Sequence, residues 1–239
     1  MNQTMARSKK LGWGVLAEQA KWAVWFLVIL CLIFLGLTLL HNYVESVQLD
    51  DFMINNNASA IFMLIVGILC TYSFLDYYVK LGITRRNFFK TALFASILLS
   101  ILLSIAFILM IVLLEWIITV MGMAIPWTDQ VSNSDIAQVL TQFISYTLIH
   151  FSYFLMGWMI GLGFYRFRWF IGLLFVAAGL LLASLMKMLY VNLFHVGPIV
   201  LLPDTWVITG FLAHLLSVLL FLTLIAANYR LIKDVTIRL

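Results

Sequence analysis

Charge is what this sequence has least of. Only 10% of its 239 residues are Asp, Glu, Lys or Arg, against 64% hydrophobic. With a mean hydropathy of +1.09, such a chain has too little polar surface to be a water-soluble domain, and it reads as a membrane protein. Cysteine is scarce too. Cys31 and Cys70 each stand alone in an apolar stretch, so neither a disulfide framework nor a metal motif is expected, and both are read as packing residues. Catalytic signatures are missing. There is no G-x-S-x-G, and none of His41, His150, His195 or His214 is followed by Glu as H-E-x-x-H requires. Neither a G-x-x-x-x-G-K-(S/T) phosphate loop nor any GK dipeptide occurs. The chain is therefore not expected to be an enzyme, and no catalytic residue, metal site or cofactor of its own is assigned.

What is present is apolar length. Six stretches stand out: Trp22–Leu40, Ala58–Val79, Thr91–Val120, Val139–Phe164, Trp169–Tyr190 and Val207–Tyr229. Each holds about 19 to 30 residues, and about 20 in a helix cross a ~30 Å hydrocarbon core. They lack the alternation of barrel strands. The expectation is all-α: one polytopic domain over residues 1–239 with six transmembrane helices.

The cations orient it. With the N-terminus inside, the cytoplasmic side receives Arg7, Lys9, Lys10, Lys21, Lys80, Arg85, Arg86, Lys90, Arg166, Arg168, Arg230, Lys233 and Arg238, all but Lys187 of the 14 Lys and Arg. Glu45, Asp50, Asp51, Asp129, Asp135 and Asp204 fall opposite. Both termini are thus expected in the cytoplasm of a multi-pass protein of the cell membrane, read as a bacterial plasma membrane. The net charge of +4 needs no nucleic-acid partner. The first apolar stretch ends in LLHNYVES without a small-x-small cleavage pattern, so it is expected to stay attached. Before it, residues 11–21, with Trp13 and Leu16 among polar neighbours, suit a short helix in the inner interface. A frayed extension of span one is the alternative.

The loop between spans two and three, KLGITRRNFFK at residues 80–90, mixes four cations with Leu81, Gly82, Ile83, Phe88 and Phe89. A loop that only anchors would need the charges alone. The mixture suits a short interfacial helix docking into a groove of another protein, with aromatic anchors and a basic rim. LGITRR at Leu81–Arg86, with Thr84, Arg85 and the following Phe88, within a six-span chain whose ends both lie inside, resembles the permease subunits of type 2 ATP-binding-cassette exporters. The resemblance implies that residues 80–90 form the coupling element, using Leu81, Gly82, Ile83, Thr84, Arg85, Arg86, Phe88 and Phe89. It also implies separate ATPase subunits carrying ATP and Mg, and a second copy or a related permease as partner. Hydrophobic or amphipathic cargo follows, with antimicrobial or cytolytic peptides preferred. Between spans five and six, VNLFHVGPIVLLPDTW at residues 191–206 is broken by Gly197, Pro198 and Pro203. That suits a re-entrant turn, where the resemblance implies paired short helices.

The intramembrane polar residues complete the candidates. Glu115 and Lys187 lie toward the outer side, and a charge there is functional by default. They could pair, or Lys187 could snorkel. His150 and His214 could clamp a haem from neighbouring helices, although their depths differ by about 6 Å, and helix-to-helix hydrogen bonds are favoured. Ser96, Ser100 and Ser104 repeat every fourth position, and Gly157 with Gly161 makes G-x-x-x-G; both patterns mark packing faces. A secondary transporter or a haem-binding membrane subunit is the alternative function.

Overall fold

The computed structural model describes residues 2–43, 57–123, 125, 134–167, 169–191, 195–196, 199–200 and 210–233. In chain order they form α1 (Asn2–Tyr43), α2 (Asn57–Leu69), a π-helical turn (Cys70–Leu75), α3 (Asp76–Lys80), α4 (Arg85–Val120), α5 (Ile136–Arg166), α6 (Trp169–Val191), β1 (His195–Val196), β2 (Ile199–Val200) and α7 (Gly210–Lys233). Counting α2, the π turn and α3 as one span, six helices are long and apolar enough to cross a membrane.

Contacts between helices fix their relative directions. Gly12 lies against Thr91 near the start of α4, and Leu30 and Phe34 share a cluster with Phe107 and Ile111, so α1 and α4 run parallel. Gly157 meets Leu64 and Gly161 meets Ile68, which makes α2 and α5 parallel. Phe151 touches Phe221, and Asn228 donates to the Leu155 carbonyl, so α7 runs with them. The α4–α5 pair is antiparallel, with Phe107 against Tyr146 and Phe89 against Trp158. Odd spans run one way and even spans the other, as six successive crossings require.

α5 is the central helix: 78% of its most apolar window is buried, against 22% for α1, α6 and α7. Its contact with α2 is backbone on backbone. A methyl group on Gly157 would sit 1.9 Å from the Leu64 carbonyl oxygen, and one on Gly67 would sit 2.2 Å from that of Phe154. The G-x-x-x-G of span four therefore packs, because only hydrogen at Cα lets the helices come so near.

Two expected elements differ. Residues 11–21 are no separate helix, since α1 runs unbroken from Asn2 to Tyr43. Val15, Leu16 and Gln19 are buried in the bundle on the face that continues to Ala23, Leu30 and Phe34. Nothing between Leu11 and Lys21 stops a helix, so the buried stripe carries the helix through. The 191–206 segment lies mostly outside the described residues. Its described part is an antiparallel pair of two-residue strands, His195 opposite Val200 and Val196 opposite Ile199, rather than paired helices.

Candidate functional site

The connection after span two is a tight turn. α3 ends in a Schellman arrangement: the Ile83 amide donates to the Tyr78 carbonyl at 3.1 Å and the Gly82 amide to that of Val79 at 2.9 Å. Gly82 has φ +81°, a left-handed conformation that glycine takes without strain. Thr84 then caps α4, its hydroxyl accepting from the Asn87 amide at 3.3 Å. Residues 81–84 form no helix of their own, and Arg85 is already the first residue of α4.

This geometry divides the expected anchors. Leu81 is 50% exposed, whereas Phe88 and Phe89 are 1% and 5% exposed. Phe88 packs edge-on against Trp158 and near Tyr78. Phe89 stacks on Trp158 with centroids 5.1 Å apart and meets Tyr229. Both rings are thus used inside the chain, because α5 and α7 close over the first turns of α4, and they leave nothing for a partner to grip. Lys80, Leu81, Gly82, Thr84, Arg86 and Lys90 remain outside, with Ile83 and Arg85 half-buried.

Arg85 is not simply a rim charge. Its guanidinium donates to the Lys233 carbonyl at 3.2 Å, and Arg166 donates to that of Leu231 at 3.3 Å. Both cations satisfy carbonyls left open at the C-terminal end of α7, where the helix dipole favours positive charge. They gather the ends of α3, α5 and α7 and the start of α4 on one face. The N-terminal part of α1 joins them, with Gly14 against the Tyr78 hydroxyl. The described cations outside the helix interiors therefore share one end of the bundle.

In the interior, His150 is fully buried and bridges three helices. Its Nδ1 lies 2.8 Å from Ser104 Oγ on α4, and its Nε2 lies 2.9 Å from Ser59 Oγ on α2. Ser104 Oγ lies equally close, 2.8 Å, to the Ser100 carbonyl, so its single hydrogen serves one of the two neighbours at a time and the ring tautomer follows that choice. Whichever nitrogen carries the ring hydrogen, the other accepts, so the ring ties α2, α4 and α5 together through both nitrogens. Ser104 of the serine repeat is one partner of this bridge and Ser59 of α2 the other.

His214 lies 3.5 Å from Ser145 Oγ by its Nε2, a contact separate from the His150 bridge. The two histidines thus hydrogen-bond to different serines. The protein as purified is expected to show no Soret band. A band lost in His150→Ala or His214→Ala would contradict that. Glu115 is 1% exposed near the C-terminal end of α4. Lys187 falls in α6 with its side chain outside the described residues, so their pairing lies outside them too.

An apolar cleft of about 410 Å³ opens between α4 and α5 away from the cation end, lined by residues including Ile105, Leu109, Val139, Leu140 and Phe143, with Ser134 its polar member. Sequence reasoning also passed over a set of buried polar atoms without hydrogen-bond partners: the Gln19 amide, Thr71 Oγ1, Ser152 Oγ, Trp158 Nε1 and Asn228 Oδ1. In the apolar spans they look like ordinary tolerated polar residues, and only the packing shows that they are shut in. No protein-family model, curated protein or solved structure matches this chain.

Proposed function

We propose that the chain is the membrane subunit of an ATP-driven exporter, with both termini cytoplasmic and separate ATPase subunits docking at the cation end. One observation carries the reading. Leu81, an exposed apolar residue, sits at the tip of a hydrogen-bonded turn in a stretch that also exposes Lys80, Arg86 and Lys90. A turn that only kept cations inside would need neither the apolar tip nor the caps on both sides. An apolar centre within a polar rim is the anatomy of a protein interface.

Leu81 is the anchor in this reading, Gly82 and Thr84 hold the turn, Arg86 and Lys90 meet acidic groups on the ATPase, and Arg85 ties the turn to α7. A second copy or a related permease completes the membrane domain. The α4–α5 cleft supports cargo that is hydrophobic or amphipathic, with antimicrobial or cytolytic peptides the preferred class. The chain itself supplies no nucleotide site, and ATP with Mg is held by the partner.

Labelling tests this placement. In a Cys31→Ala background, Leu81→Cys is expected to react with a membrane-impermeant maleimide in inverted vesicles only, and to be shielded when the native complex is intact. Reaction from the outer face would overturn the orientation, and unchanged reactivity in the complex would remove the docking role.

A further inference from the structure

Thr38, Thr119, Thr141 and Thr147 each donate to the carbonyl four residues back, at 2.7 to 2.8 Å, as threonine can in a regular helix, and Thr223 donates three back. Thr71 does neither. It is fully buried, its hydroxyl has no partner, and it stands in the π turn Cys70–Leu75. A π turn holds one residue more than an α-helical turn and often marks a functional site. In regular α geometry the Thr71 hydroxyl can reach the Gly67 carbonyl, four residues back.

The two flanks of the π turn are held differently. On one side α2 is seated on α5 by the Gly67, Gly157 and Gly161 contacts, the last reaching Thr71 Oγ1 itself. On the other side, α3 is five residues long and is tied to α5 by the Tyr165 hydroxyl donating to Asp76. Beyond α3 comes the Gly82 turn.

We infer that this π turn is a two-state register switch in span two. In the state described here the surplus residue is stored at Cys70–Leu75, Asp76 is bound to Tyr165, and Thr71 lacks a partner. In the other state the surplus residue passes into the 81–84 turn, the helix is α throughout, Thr71 donates to the Gly67 carbonyl, and Asp76 leaves Tyr165. One hydrogen bond replaces the other, which is what two closely balanced arrangements require. A one-residue register change rotates α3 by about 100° and moves it about 1.5 Å. The inference concerns the chain alone and stands without the exporter reading; where that reading holds, the switch carries force on Leu81 to the seam at Gly67.

Spin-label distances test it. Labels go on Tyr77→Cys in α3 and Trp169→Cys in α6, both about 60% exposed, in a Cys31→Ala background where buried Cys70 is out of reach. Side-chain tips about 5 Å from the axis should swing by roughly 8 Å. In lipid nanodiscs, Thr71→Val is expected to show the state described here, Tyr165→Phe the other, and the unmodified sites a sum of the two. Coincident distributions in all three, with unchanged melting temperatures, overturn the switch. Deleting Ser73 removes the surplus residue and should make the distance insensitive to Tyr165→Phe; a retained response would equally overturn it.

Discussion

Gly157→Ala is expected to be among the most damaging single changes in the chain. The added methyl would lie 1.9 Å from the Leu64 carbonyl oxygen and 2.8 Å from its carbon, both backbone atoms that cannot rotate away. Relief requires α2 and α5 to separate. That separation would loosen the contacts that carry Gly67, Gly161 and the Ser59–His150 bridge. Overpacking commonly costs about 1 to 3 kcal/mol, and the value here should reach or exceed the top of that range. Gly36→Ala is the control. No atom lies within 4 Å of its added methyl, so the helix gains alanine propensity, and the result should lie between neutral and about 1 kcal/mol stabilising. Reversible unfolding in mixed micelles checks both. Equal stabilities would mean that α2 and α5 do not meet as described.

The second large effect separates folding from docking at the turn between α3 and α4. Phe88→Ala removes a ring that is 1% exposed, and is expected to lower stability by about 3 to 5 kcal/mol, as for other buried aromatic truncations. Phe89→Ala should do the same, because Trp158 and Tyr229 both lose a face. Leu81→Ala removes a half-exposed side chain that touches little of the bundle, so melting should hardly move. An interface anchor, by contrast, commonly contributes about 2 kcal/mol or more to binding. Loss of ATPase binding is therefore expected in Leu81→Ala at unchanged bundle stability, with loss of the folded bundle itself in Phe88→Ala. The opposite assignment, a stable Phe88→Ala that binds no partner, would return the phenylalanines to the interface.

The spans are legible in the sequence because crossing a membrane requires apolar length, and length survives any detail of packing. The third expected stretch, Thr91–Val120, and α4 at Arg85–Val120 end together. They differ at the start because Thr84 caps the helix among charged residues that a hydropathy reading excludes. The same blindness separates Trp22 from the true course of α1, where the buried face runs from Gln19 to Ala23 behind exposed Lys21 without a break. Phe88 and Phe89 mislead for a different reason. Beside two arginines they look like interfacial anchors, and nothing local says that Trp158 and Tyr229, 69 and more positions away, close over them. The His150 bridge is legible in part, since Ser96, Ser100 and Ser104 announce a face but not what it meets. The π turn leaves no trace in CTYSFL, because it depends on one surplus residue held between a fixed seam and a short helix.

Purification of the native complex in parallel from wild type and Leu81→Asp tests the central claim most directly. The reading requires a phosphate-loop ATPase to come away with the wild-type chain and to be absent from Leu81→Asp, while both chains show the same melting temperature and the same six-span insertion. An ATPase bound equally to both, or none bound to the wild type, would contradict it.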